Sequence, residues 1–251
     1  MHDSRRLTAD VLLRAYTRGV FPMAAGRNER EIRFYSPNER GVLPLDRFRI
    51  SRRLARTVRS DRFQIRINSA FTAVVQACAA PGPQRTETWI NDEIINIYTT
   101  LHWNGYAHSV ECWREGRLEG GLYGVAIGAA FFGESMFSRE RDASKVALVH
   151  LVARLRRGGF VLLDTQFITP HLAHFGAAAI PRARYMDLLA QAVARPADFD
   201  PAIYCPEPSG NCGRGSLDAA SGEVGFTADV EATTGANWPG WFVLQLITQT
   251  S

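Results

Sequence analysis

Lysine is almost missing from this chain of 251 residues: among 29 basic residues only Lys145 is a lysine. Either that one survives by chance, or it marks a place where a compact ammonium serves and a planar guanidinium does not. Cysteine is scarce too. Cys78, Cys112, Cys205 and Cys212 lie far apart with no C-x-x-C pair, which argues against a zinc ribbon, any other metal centre or a disulfide scaffold and fits a reducing compartment. The longest apolar tract, the thirteen residues 121–133, is shorter than the ~20 needed to span a bilayer. No charged leader with an apolar core opens the chain, so a soluble cytoplasmic protein with no membrane partner is expected. There is no G-x-G-x-x-G and no G-x-x-x-x-G-K-[ST], so neither a dinucleotide nor a nucleoside triphosphate is indicated and no cofactor is expected. With 46% hydrophobic and 22% charged residues the chain can bury one large core or two modest ones.

What is present centres on residues 107–147. Alternation through His108 to Trp113, a turn at Gly116, a run from Leu118 to Val125, a second turn at Gly128 and Ala129 to Gly133 predict a three-strand antiparallel meander. A helix follows, with Asp142 as its expected cap, Val146, Val149, Leu151, Val152 and Leu155 at helical spacing, and Gly158-Gly159 as the stop. The chain returns as a buried strand, Phe160 to Leu163, ending in Asp164-Thr165-Gln166. Period-2 geometry puts Asp164 and Gln166 on one face, beside an apolar pocket from the meander. Desolvation there would raise the Asp164 pKa and make it a proton acceptor near neutrality, with Gln166 donating and accepting hydrogen bonds. The bland alternative is an Asp that ties down a loop. Glu134, stranded among Phe131, Phe132, Met136 and Phe137, calls for a cationic partner, either an internal Arg or a substrate.

Upstream, Thr8 caps a helix to about Arg18, and Ile32 to Tyr35 reads as a short edge strand stopped by Pro37. Phe21, Met23, Phe34 and Tyr35 form either a small satellite core or a cover for a ligand. Eight arginines crowd into residues 47–66, with Asp61 the only acid among them. Ser51 can cap a helix that turns Leu54 and Val58 inward and leaves Arg52, Arg53, Arg56 and Arg59 on the other faces. Four like charges in two turns repel, and a phosphate backbone is the commonest partner that relieves them. Ser69 and Asn91 are expected to cap further helices, Thr169-Pro170 opens a short one, Ala177 to Ile180 is a last strand, and Pro181 starts a helix through Val193. Residues 205–251 are rich in Gly, Ser, Ala and Thr and are expected to be poorly ordered, although their end, Trp238 to Leu244, is too apolar for a linker.

Two other motifs lead nowhere. Gly133-Glu134-Ser135-Met136-Phe137 has bulk where the hydrolase elbow needs glycine, so a serine nucleophile is not expected. His171 and His174 share a helix face without further ligands and read as surface or capping residues.

Several runs taken together resemble the leucyl/phenylalanyl-tRNA-protein transferase family. They are Thr88-Trp89-Ile90, Ala107 to Glu111, Gly120 to Gly124, Phe132 to Arg139 with Ala143-Ser144-Lys145, Leu163 to Gln166, and His171-Leu172 before Gly176-Ala177, preceded by Ala15-Tyr16, Gly19 to Pro22 and Ser36-Pro37. The resemblance implies an α+β architecture. A GNAT-like acyltransferase domain with a mixed, largely antiparallel sheet flanked by helices (46–204) would carry a small N-terminal α+β domain (1–45), with 205–251 as an extension outside the family pattern. It implies transfer of Leu or Phe from aminoacyl-tRNA to the N-terminal amine of proteins beginning with Arg or Lys, marking them for degradation. By the same resemblance Asp164 and Gln166 are a proton-relay pair, and Trp89, Phe131, Glu134, Ser135 and Met136 surround the aminoacyl group. Met23 and Tyr35, where tryptophans are common, would roof the 3′ adenosine and stack less strongly. The Arg52 to Arg59 helix would hold the tRNA acceptor stem by its phosphates, and a monomer is expected. The rivals are an acyl-CoA N-acyltransferase, disfavoured because 138–144 contains no glycine to cradle a pyrophosphate, and a non-catalytic RNA-binding module.

Overall fold

The computed structural model describes residues 7–29, 31–81, 87–200 and 238–248. Cys205, Cys212 and most of the extension lie outside them. A helix α1 (Ala9–Thr17) leads into a two-stranded hairpin, β1 (Phe21–Ala24) and β2 (Ile32–Tyr35). Then come β3 (Glu39–Val42), a 3-10 turn at Leu45–Arg47, α2 (Arg52–Arg59), β4 (Gln64–Ile67), α3 (Phe71–Ala79) and α4 (Asp92–Trp103). The expected meander is β5 (Ala107–Arg114), β6 (Arg117–Ile127) and β7 (Ala130–Ser138), with turns at Gly116 and Gly128 in the left-handed region at φ 72° and 54°. After it run α5 (Ala143–Arg157), β8 (Leu162–Gln166), a short α6 (Pro170–Ala173), β9 (Ala178–Pro181), α7 (Arg182–Val193) and α8 (Gly240–Thr248).

Seven strands form one sheet in the order β4-β5-β6-β7-β8-β3-β9, antiparallel except for the parallel β7–β8 pair that α5 connects. The fold is thus α+β with a mixed sheet flanked by helices. Successive strand residues feed opposite layers. Leu122, Phe131 and Leu163 join α2, α5 and α8, whereas Tyr123, Phe132 and Leu162 join α1, α3, α4 and α7. The strand β3, unsigned by any apolar alternation and placed by sequence in the N-terminal part, belongs to this main sheet between β8 and β9.

Thr8, Ser51, Asn91 and Thr169 cap their helices as expected, each accepting from a backbone N–H three residues on. Asp142 also occupies the N-cap position of α5 but makes no side-chain cap bond, and Ser69 is not the cap of α3. Asp142 sits at φ 67° with its carboxylate turned to Lys145 and Arg53, and Ser69 donates instead to the buried Glu111, whose other oxygen takes the Ala70 N–H at the start of α3. The extension also departs from expectation over 238–248. There α8 packs on α2 and α5, burying Trp238, Val243, Leu244 and Ile247 in the main core, so the apolar end that composition left unexplained is a piece of that core. Among the described residues no helix is long and apolar enough to cross a membrane.

Candidate active site

Strands β7 and β8 pair only from Ala130↔Leu162 to Phe132↔Asp164. Beyond that β7 bulges opposite Tyr123 and Gly124 of β6, and the two strands part. A cavity of about 350 Å³ opens in the gap, lined by Gly133, Glu134, Ser135 and Met136 of β7, by Leu163, Thr165 and Gln166 of β8, by Leu148 and Leu151 of α5, and by Met23, Trp89 and Phe167 above. A cleft of about 440 Å³ shares Met23, Trp89 and Phe167 with it and runs on past Tyr35 and Glu87. The bulge also resets the alternation. Phe131 and Met136, an odd and an even position, both turn toward the α5 layer, where straight pairing would separate them.

Glu134 stands in the wall of the cavity with its carboxylate turned toward α1 and α4. Oε1 accepts from Tyr16 Oη at 2.7 Å and from Gln166 Nε2 at 2.9 Å, and Oε2 accepts from Tyr98 Oη at 2.8 Å. The two tyrosine hydroxyls also touch each other, and either can turn its proton from Glu134 to the other. Burial raises the pKa of Glu134 to about 7, outweighing the three donors, which lower it, while the nearby Asp164 charge adds to the rise. Burial and the Glu134 charge hold both tyrosines well above their usual value, so they stay protonated donors. The cationic partner expected for Glu134 is therefore not an internal Arg; two hydroxyls and an amide stand in its place.

Asp164 follows the alternation of β8, but the face it occupies is not the one that lines the cavity. It faces the α1 and α7 layer with Leu162, fully buried, and does not line the cavity, which Leu163 and Thr165 do. Far from standing uncompensated, its oxygens accept from Arg40 Nε at 2.9 Å, Arg40 Nη2 at 2.7 Å, Tyr185 Oη at 2.7 Å and the Gln166 backbone N–H at 2.8 Å. Gln166 has φ 62°, which breaks the alternation and brings its side chain to Glu134 rather than beside the Asp164 carboxylate.

Of the other residues expected at the site, Trp89, Glu134, Ser135, Met136, Gln166 and Met23 line the cavity, and Tyr35 lines the adjoining cleft. Phe131 does not. It is fully buried in the core against Phe160 and Phe199, with Gly124 leaving room for its ring. The satellite core divides: Phe21 is buried, while Phe34 and Tyr35 are exposed on the hairpin. Arg52, Arg53, Arg56 and Arg59 are all exposed on α2, with Leu54 and Val58 buried beneath. Sequence reasoning missed Tyr16, Tyr98 and Arg40, which come from distant elements, and set aside His171, whose Nε2 is buried in the cavity lining without a hydrogen-bond partner, as is Thr165 Oγ1. Burial and the neighbouring Lys145 lower the His171 pKa, leaving its ring neutral at pH 7.

Comparison with known proteins points one way. A family model described as leucyl/phenylalanyl-tRNA protein transferase matches residues 42–190, and one for the N-terminal domain of the same proteins matches 5–38. A leucyl/phenylalanyl-tRNA–protein transferase of Phenylobacterium zucineum is 63% identical over 188 residues, 75% of this chain and 85% of the relative. Those of Paramagnetospirillum magneticum and Maricaulis maris are each 60% identical, over 78% of this chain and 94% and 90% of their own lengths.

Proposed function

The chain belongs to the leucyl/phenylalanyl-tRNA protein transferase family and is an aminoacyltransferase, and from that premise we propose that it moves leucine or phenylalanine from tRNA to the N-terminal amine of proteins beginning with Arg or Lys, marking them for degradation. The observation that carries this is an apolar cavity, open to the adjoining cleft, with the Glu134 carboxylate, whose pKa burial raises to about 7, and the Gln166 amide in its wall. An aminoacyl ester is already activated and needs only a neutral amine held in line, so no covalent nucleophile is required. Met136, Leu148, Leu151 and Leu163 receive the Leu or Phe side chain, with Phe131 supporting β7 from behind. Because a methylene is worth only ~1–3 kcal/mol, the two amino acids are not sharply separated.

The attacking amine, of free pKa ~8, gives its proton to Glu134, whose pKa lies close enough for near-balanced transfer. Gln166 and the two tyrosines steady the carboxylate, and Glu134 passes the amine's proton to the ribose oxygen as it leaves. Asp164, which unlike Glu134 does not line the cavity, acts through Gln166 rather than on the amine. Trp89, Met23 and Tyr35 flank the 3′ adenosine in the adjoining cleft, and Arg52, Arg53, Arg56 and Arg59 grip tRNA phosphates with little regard for sequence. The test is label transfer. Protein given radiolabelled Phe-tRNA and a peptide starting with Arg should label the peptide's N-terminus; turnover of acetyl-CoA without any transfer from Phe-tRNA would replace this reading with that of an acyl-CoA N-acyltransferase.

A further inference from the structure

Arg40 is the largest fully buried side chain in the described structure, at 1% exposure, and no role in the chemistry just described requires a cation there. Its guanidinium is held on every side. It pairs with Asp164 through Nε and Nη2, donates Nη1 to the Gly19 carbonyl at 2.9 Å, and lies between the rings of Phe21 and Tyr185 at 4.4 and 4.6 Å. A buried cation with so complete a shell is costly to desolvate, and it persists where the geometry it imposes matters.

Both of its polar arms lead to Glu134. Along one, Asp164 accepts the Gln166 backbone N–H and holds that residue at φ 62°, a region that a residue with a Cβ keeps only where its surroundings impose it. The kink aims Gln166 Nε2 at Glu134. Gly41, next to Arg40 on β3, lets the Phe167 backbone come within 2.8 Å of where a Cβ would stand, so the strand carrying Arg40 is packed directly onto the kink. Along the other, Arg40 holds the carbonyl of Gly19, whose own N–H donates to the Tyr16 carbonyl at the end of α1, and the Tyr16 hydroxyl donates to Glu134. We propose that Arg40, assisted by Tyr185, is a positioning residue of this enzyme: through Asp164 it presents Gln166, and through Gly19 it presents Tyr16, to the Glu134 carboxylate. The buried ion pair, not proton uptake by Asp164, is then what the site requires. This rests on the transferase reading only for its kinetic readout.

The test is rescue by a second change. Asp164→Asn keeps an oxygen for the Gln166 N–H but leaves the Arg40 charge unpaired, and kcat for Phe transfer should fall about 10²-fold with KM for Phe-tRNA little changed. Adding Arg40→Gln makes the pair neutral and complementary but gives up the bond to the Gly19 carbonyl, so kcat should recover about tenfold rather than fully. The hydrogen-bonded side-chain amide signal of Gln166 in a 15N spectrum, which follows Glu134 through its titration, should be lost in the single variant and restored in the double. Tyr185→Phe is the milder probe, keeping the ring over Arg40 while removing one bond to Asp164; its kcat should drop about tenfold. A double variant as inactive as the single one, or a Tyr185→Phe enzyme with unaltered kcat, overturns the proposal. A wild-type protein that shows the amide titration but transfers no label would overturn the proposed activity and leave the positioning role standing.

Discussion

Glu134→Gln keeps the shape of the residue in the cavity wall and removes its titration. In the folded chain the carboxyl is raised from 4.5 to about 7, and at about 1.4 kcal/mol per tenfold change in proton affinity that is on the order of 3 kcal/mol of linked stability. A raised carboxyl binds its proton more tightly folded than unfolded. The contribution is therefore full below pH 4.5 and lost as pH rises through 7. Urea unfolding at intervals from pH 4.5 to 8.5 measures it as the difference between wild type and Glu134→Gln. Groups that shift the other way, such as His108 and His150, cancel in that difference. Wild type should lose about 3 kcal/mol relative to the variant across this window. The kcat profile of wild type should rise with pH to a limb near 7 that the variant lacks. Two stability curves that run parallel would refute the account, because they would mean that Glu134 is no harder to ionise folded than unfolded.

Other predictions follow from the packing and charge. Burial pushes His150 down to about 3 and His108 to about 4, so each resists protonation when folded and costs stability as pH falls below 6.5; His150→Leu should flatten the acid side of the unfolding curve. Gly240 lies where a Cβ would stand 2.0 Å from the Val58 carbonyl oxygen, and its N–H bonds Asp61. Gly240→Ala should lift α8 from α2, and Leu244→Ala, which empties a core position, should cost about 2–5 kcal/mol in denaturant melts. Arg52→Glu, Arg56→Glu and Arg59→Glu together should weaken tRNA binding and reduce the slope of log affinity against log salt by about 3, measured by filter binding between about 50 and 200 mM salt. An unchanged slope would separate α2 from the phosphates.

Much of the frame was legible before any coordinates. Leu54 and Val58 at i and i+4 announce α2, Gly116 and Gly128 announce the turns of the meander, and Thr8, Ser51, Asn91 and Thr169 announce helix starts, because capping and periodicity act over three or four residues. The cavity wall was half legible: an acid among phenylalanines at Glu134 is a local anomaly in any context. Arg40 was not, since one more arginine among many in an unpatterned Glu-Arg-Gly-Val run carries no mark of burial. Tyr16 and Tyr98 read as ordinary apolar-face residues of their helices.

By itself, then, the amino-acid order determined which segments become helices and strands, which faces are apolar, where positive charge gathers, and to which family the runs of residues are akin. Tertiary structure alone decided the site. A one-residue bulge in β7 and the left-handed turn at Gln166 each reverse the period-2 alternation on which side-chain direction is read. Asp164 pairs with Arg40 of β3, and Glu134 bonds two tyrosines 118 and 36 residues away. Such contacts depend on how whole layers pack, and no pattern of neighbours along the chain encodes them.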